Sequence, residues 1–330
     1  MPSWHMYNVD KREMARGLDA KMGEFIYAGH NQIVKLLARP TKPNPKAMPA
    51  YYLAASSEKR HELGSLSVIP PELVTHIFSY LSNMDDALCF AAAHRLFAQD
   101  GFRRVYRLRR RENSEFGSWA GGRIITVSDE ARNLPKGLFT AAEEKEMKGD
   151  GLGINFHLSD TYRKAGPPGK RDAWRAAFGP KAHENVMKSA LTRVVARTGD
   201  YLRVRLLLED TSIRYALQAT WALCNMDRKE YIRADAVANM RINPFDDFQV
   251  GSVVEGPFVN GENTILDLGT FAILLTAWSS YGSELSCQWA GAHLRVLEVE
   301  RLQIKKWKDV SKWAVDKVSH WAMMNDRYLY

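Results

Sequence analysis

Chemistry needs reactive or ligating side chains at spacings that a backbone can bring together, and this chain offers few. Its nine histidines are scattered, and no two lie four apart, the separation that puts a pair of imidazoles on one helix face for zinc. Cys89, Cys224 and Cys287 are odd in number and far apart, with no Cys-x-x-Cys pair, so neither a disulfide framework nor a zinc site is expected. Gly166-Pro-Pro-Gly-Lys170 ends as a phosphate-cradling loop does, but lacks that loop's spacing and its following Ser or Thr. No Gly-x-Ser-x-Gly elbow, His-Glu-x-x-His pair, Gly-x-Gly-x-x-Gly turn or kinase signature is present. The expectation is a protein with no catalytic residues, no metal and no cofactor.

What remains are side chains that could bind. Arg103, Arg104, Arg107, Arg109, Arg110 and Arg111 form a basic cluster that could meet nucleic acid or an import receptor. Such a cluster supplies salt-dependent, sequence-independent attraction. Phe102, Val105, Tyr106 and Leu108 interleave it at near-helical spacing, which fits the plainer reading of arginines coating a helix. Trp119 and Trp289 each open a Trp-Ala-Gly segment. Their rings could contact a target or ligand, or could serve the core.

Composition limits the rest. A hydrophobic share of 45% with 25% charged residues leaves ample material for cores over 330 residues, enough for two or three domains. Net charge is +8. The start Met-Pro-Ser-Trp-His has no signal pattern, and the longest apolar run, Phe271–Trp278, is too short to span a bilayer. Unpaired cysteines fit a reducing compartment, so the expected location is cytoplasmic or nuclear, with no membrane.

The elements that would position a binding surface begin at Leu66. Pro70 and Pro71 sit where a helix starts. Leu73, Ile77, Tyr80 and Leu81 then recur at helical spacing. Ser82-Asn83 breaks the run, Asp85 or Asp86 can cap a second helix, and Leu88, Ala91, Ala92, Leu96 and Phe97 are expected to face a common core. A unit of about 45 residues is too small to bury a self-sufficient core, so it should lean on something else.

Ile69, Pro70, Glu72, Leu73, Ile77, Phe78, Tyr80, Leu81, Asp86, Leu88, Arg95 and Phe97 follow a pattern that resembles the F-box. The resemblance covers roughly residues 66–108; Ala87 and Ala93 stand where the family has larger or polar residues. It implies a substrate-recognition subunit of a Skp–cullin–F-box ubiquitin ligase. Ile69, Pro70, Leu73, Ile77, Leu81 and Leu88 would meet a Skp-type adaptor protein and, through it, a cullin, while the rest of the chain holds an unknown protein target. The competing readings are a structural protein that has absorbed the hairpin into its own core, and a weak nucleic-acid binder acting through the arginines.

Internal similarity organises the remainder. Trp4-His-Met-Tyr-Asn-Val-Asp-Lys-Arg-Glu13 returns as Trp221-Ala-Leu-Cys-Asn-Met-Asp-Arg-Lys-Glu230, 217 residues later. Ile33–Ala38 parallels Ala272–Thr276, and Trp119–Val127 parallels Trp289–Val296. Trp4 and Trp119 are 115 residues apart, Trp221 and Trp289 only 68, and the 47-residue excess is about the length of the F-box-like stretch. The expected fold is therefore α+β: two copies of a small mixed α/β domain, the first interrupted by a helical insertion. Boundaries follow at 1–57 and 112–150 for the first copy, 58–111 for the insertion, 151–215 for a linker and helical segment, and 216–330 for the second copy. That last part ends in an amphipathic helix whose tryptophans, Trp313 and Trp321, with Trp307 before it, would pack on the copy. Asn-x-Asp-Lys-Arg-Glu near the start, Trp-Ala-Gly-x-Arg-Ile-Ile and Leu134-Pro-Lys-Gly-Leu-Phe-Thr140 with Glu143-Glu144 also resemble a group of basidiomycete fungal proteins. That second likeness implies no chemistry.

Overall fold

The structure is a computed structural model that describes residues 3–15, 18, 20–26, 29–39, 60–116, 119–129, 131, 133–149, 162, 192–193, 199–211, 215–240, 251–261, 266–278 and 288–326. Strand β1 (Ser3–Asn8) turns into β2 (Glu13–Met14), followed by β3 (Ala20–Lys21) and helix α1 (Asn31–Leu37). Three helices come next: α2 (Pro71–Tyr80), α3 (Met84–Ala93) and α4 (Ala98–Phe116). Then come β4 (Gly122–Ser128), α5 (Ala141–Gly149) and α6 (Gly199–Asp210). The hairpin of β5 (Trp221–Asn225) and β6 (Glu230–Arg233) leads to α7 (Ala234–Ala238) and a second hairpin, β7 (Val253–Glu255) and β8 (Phe258–Asn260). Helix α8 (Leu268–Leu275), β9 (Ala277–Trp278), β10 (Ala292–Glu298), β11 (Lys308–Asp309) and α9 (Ser311–Asp326) complete the chain.

Two compact units divide these elements. A sheet unit takes Met1–Arg39, Ser118–Pro168 and Tyr215–Tyr330, and a helical unit takes Pro40–Gly117 and Gly169–Arg214. The fold class is mixed α and β, with a mixed sheet.

The path through that sheet runs β11-β6-β5-β10-β4-β1-β2, with β3 beside β1 and β9 beside β4. Hairpin β1–β2 pairs Tyr7 with Met14 and Asn8 with Glu13; hairpin β5–β6 pairs Cys224 with Tyr231 and Asn225 with Glu230. Asn8 also lies opposite Ile124 of β4, and Asn225 opposite Leu294 of β10. At the centre β4 meets β10, with Arg123 facing His293.

Each hairpin turn is built by its asparagine. The Asn8 Oδ1 accepts from the Lys11 N–H at 2.9 Å, and the Asn225 Oδ1 from those of Asp227 and Arg228 at 3.1 Å. These bonds fold the backbone back on itself and hold Arg12 and Lys229 at φ of 53° and 58°, a region that side chains other than glycine rarely adopt.

Strands of this sheet are covered on both faces. Helix α8 is buried all round, as its uninterrupted apolar run Phe271–Leu275 requires. On the other face Tyr7, Val9, Ile125, Val127, Leu138 and Tyr162 form one cluster, and Ala222, Cys224, Tyr231, Leu297, Val299 and Leu302 another. His293, Arg295 and Glu298 are only partly exposed. In α9 the expected tryptophan face is not the core stripe. Val310, Ala314, Val318 and Ala322, four apart, are buried, while Trp313 and Trp321 flank them half exposed. Small residues let the helix axis approach closely, and bulky rings are left at the edges.

The helical unit has its own core: Val74 and Phe78 from α2, Met84, Ala87, Leu88, Ala91 and Ala92 from α3, Phe102, Val105 and Leu108 from α4. Val204, Leu207 and Leu208 from α6 complete it, so Tyr201–Leu208, readable as strand or helix, is helix. The cap of α3 is Asn83 rather than Asp85 or Asp86: its side chain accepts from both of their N–H groups, at 2.7 and 3.4 Å. Leu96 is exposed, not part of the core. Pro40–Pro49, Gly166–Gly169 and Cys287 lie outside the described residues, as does Asn185–Ala196 apart from Thr192 and Arg193.

Candidate functional site

Helix α2 carries two apolar stripes, with Glu72, Thr75, His76 and Ser79 interspersed. Val74 and Phe78, one turn apart, turn inward. Leu73, Ile77 and Tyr80 turn outward and are 51%, 37% and 73% exposed; Leu66 and Val68, in the 3-10 turns just before, are 40% and 80% exposed. Pro70 is exposed too, while Ile69 and Leu81 are half-buried against the unit's core. Five large apolar side chains within one short stretch form a surface that water solvates poorly.

Polar contacts fix the frame under that surface. The Arg104 Nε donates to the Leu81 carbonyl at 2.7 Å, tying α4 to the end of α2. The Thr75 hydroxyl donates to Asp100 Oδ1 at 3.1 Å from the same side of α4. The Phe78 and Phe90 rings meet tilted at 4.9 Å, and the Phe90 and Phe97 rings stack at 4.7 Å.

Of the six residues expected to meet an adaptor, Leu88 is a correction. It is fully buried among α2, α3 and α4, so it has no surface to offer a partner. Ala87, equally buried, has none either. Arg103 and Arg107 are exposed on α4 and Arg104 is half-buried; the side chains of Arg109, Arg110 and Arg111 lie outside the described residues. Ala98, Phe102, Val105 and Leu108 form the buried side of that helix.

Trp119 and Trp289 are also corrected. Both rings are buried, and their Nε1–H groups donate to Glu13 Oε2 at 2.8 Å and Glu230 Oε2 at 3.1 Å. Neither has a free face or a free donor for a ligand. They hold the start of β4 and β10 to the hairpins β1–β2 and β5–β6.

The sheet unit contains polar groups that reading the sequence did not single out. Arg123 donates to Asp10 from its backbone and its Nε, and to Glu143 from Nη1 and Nη2 at 3.1 and 2.6 Å. The hydrogen bond from Arg123 holds the Glu143 carboxyl down at about 2. Glu143 also closes a capping box with Thr140, the Thr-x-x-Glu spacing being the signal that could have found it. Asp267, fully buried, caps α8: it accepts from the N–H groups of His30 and Thr270 at 2.6 and 2.8 Å and from the Thr270 hydroxyl at 3.1 Å. His30 donates its Nε2–H to the Phe25 carbonyl, and burial pushes its pKa down. Arg123, Glu143 and Asp267 are thus held by structural bonds, while the buried Nδ1 of His30 has no hydrogen-bond partner.

The thiols are equally quiet. Burial pushes Cys224 up to about 12 and raises Cys89, so both stay protonated at neutral pH. Among the described residues no group of three His, Cys, Asp or Glu could hold a metal ion, and no helix is long and apolar enough to cross a membrane. Set against known proteins, the chain matches no family model, no curated protein and no solved structure.

Proposed function

We propose that this chain is the substrate-recognition subunit of a Skp–cullin–F-box type ubiquitin ligase, a protein that performs no catalysis itself. Its helical unit meets the Skp-type adaptor and its sheet unit presents a protein target, in the cytosol or nucleus. The observation that carries this reading is the outer stripe of α2. Leu73, Ile77 and Tyr80 stay exposed, with Leu66 and Val68 beside them, while Val74 and Phe78 satisfy the core. The competing idea of a hairpin absorbed into its own core calls for Leu73 and Ile77 to be covered, and their 51% and 37% exposure favours the adaptor reading over it. The exposed stripe lies in the stretch whose residues resemble the F-box, and a few such anchors can carry most of an interface's binding energy. With Leu88 removed, Pro70, Leu73 and Ile77 are the principal anchors and Ile69 and Leu81 the margin.

We also infer that the sheet unit is two copies of one small domain with the helical unit interrupting the first. Supporting this, the β1–β4 pairings recur in β5–β10 with partners 217 and 170 residues further on. Trp119 and Trp289 make equivalent bonds, and so do Asn8 and Asn225. The sheet unit breaks off after Arg39 and resumes at Ser118. A duplicated scaffold whose conspicuous carboxylates and indole donors are taken up in structural bonds suits a presenting role.

The test is recovery of the adaptor from native extract. Wild-type chain is expected to bring down a Skp-type adaptor, and the Leu73→Asp, Ile77→Asp double variant to lose it. Equal recovery with both proteins contradicts the proposal.

A further inference from the structure

Two helices of the sheet unit begin at one buried carboxylate. Asp267 caps α8 through one oxygen, and its other oxygen accepts at 2.6 Å from the backbone N–H of His30, the N-terminal cap of α1. Backbone meets backbone here. A Cβ on Gly269 would lie 2.2 Å from the His30 carbonyl oxygen, so only glycine lets α8 seat against this turn. The His30 ring is enclosed along with it, 4% exposed and edge-on to the Phe25 ring at 5.5 Å.

That ring is placed for one proton only. Its Nε2–H donates to the Phe25 carbonyl at 3.0 Å, which leaves the bare lone pair on Nδ1. Nδ1 is buried and has no hydrogen-bond partner. A second proton there would be a charged donor with neither water nor acceptor, a costly arrangement. Asp267 is the neighbouring countercharge, but its oxygens are already engaged by the His30 and Thr270 N–H groups and the Thr270 hydroxyl. The other charges nearby face outward. Lys21, Glu24 of the 3-10 turn Met22–Ile26, and Lys35 of α1 are exposed. On α9, which packs against that turn, Lys312, Asp316 and His320 are exposed and Lys317 lies over the Trp313 ring. Helix α8 and strand β8 contain no charged residue, and β10 meets α1 at its far end, beside Ala38. Burial outweighs the attraction of Asp267 and holds the imidazole's pKa below its ordinary 6.5.

We propose that His30 is an acid-released latch: proton uptake at its Nδ1 withdraws the His30 turn from the start of α8, and this corner of the sheet unit opens as the surroundings turn acidic. The proton is taken up in the open form, where water solvates the imidazolium. Above the ordinary imidazole value the closed form keeps its full advantage. Below it that advantage falls, because the open form binds the proton and the closed form does not. The latch lies in the sheet unit and is independent of the adaptor-binding reading.

Amide hydrogen exchange of the full chain at pH 7.5 and pH 5.5, corrected for the intrinsic effect of pH, tests this at the two N–H groups that Asp267 holds, those of His30 and Thr270. Wild type is expected to open about tenfold more at pH 5.5, the change one proton gives when only the open form titrates near the ordinary value. His30→Gln keeps a side-chain N–H for the Phe25 carbonyl but cannot titrate, so its opening should change by less than about twofold. The wild-type ring gives a second readout that needs no variant: by NMR, His30 in the closed protein should keep the neutral-imidazole chemical shift down to pH 5.5. Unchanged wild-type opening between the two pH values, equal acceleration in His30→Gln, or a His30 ring that protonates in the closed protein at its ordinary pKa overturns the proposal.

Discussion

Arg123 of β4 lies directly across the sheet from His293 of β10, and each side chain is held by an aspartate of the neighbouring hairpin turn. The Arg123 Nε is 2.6 Å from Asp10 Oδ1, and the His293 Nδ1 is 3.0 Å from Asp227 Oδ1. Among the described residues only the arginine gains a second carboxylate, Glu143.

That asymmetry predicts a pH signature. Glu143 has its pKa lowered from 4.5 to about 2 in the fold, chiefly by the Arg123 hydrogen bond. A lowered folded value contributes stability that is fully present above the unfolded value and is lost as pH falls through the folded one. Denaturant titrations between pH 5 and pH 2 should show wild type losing stability more steeply than Glu143→Gln, the two curves converging near the acid end. Parallel curves throughout would show that the pair contributes nothing.

Trp119→Phe and Trp289→Phe should destabilise to similar extents. Each removes one indole donor from a hairpin glutamate, Glu13 or Glu230, while leaving a ring in the core. The expected loss is about 1–3 kcal/mol in each, read from the midpoint of chemical unfolding. A silent Trp289→Phe beside a damaging Trp119→Phe would show that the two bonds are not equivalent.

Leu88→Ala and Leu73→Ala should separate core from surface. Leu88 is fully buried and Leu73 about half exposed. Truncating the first leaves a cavity and is expected to cost about 2–5 kcal/mol; the second should stay within about 0.5 kcal/mol. Equal costs would mean that Leu73 is part of the core after all.

How far the sequence could be read depended on how local the determining physics is. The Asn-x-Asp segments were legible as a repeat, and each asparagine closes its own turn within three residues. The capping of α3 was not, because Asn83, Asp85 and Asp86 are all good caps and only the backbone decides which one precedes the first turn. Helix α2 was legible as a helix, but its inward side was not. Leu73, Ile77 and Tyr80 and the pair Val74 and Phe78 are both apolar stripes, and periodicity cannot choose between them. Leu88 was placed in a common core by its own spacing, where it lies, and only the F-box resemblance turned it toward a partner. The Arg123–Glu143 and His30–Asp267 contacts join residues far apart in the chain, so no local pattern announces them.

The central claim is tested most directly by measuring the affinity of purified wild-type chain for a purified Skp-type adaptor, beside the Leu73→Asp, Ile77→Asp variant. One-to-one binding by wild type is predicted, weakened about a hundredfold or more in the variant, equivalent to roughly 2.7 kcal/mol, with an unchanged melting temperature because both positions are exposed. Wild-type protein that fails to bind, or a correctly folded variant that binds equally well, would contradict it.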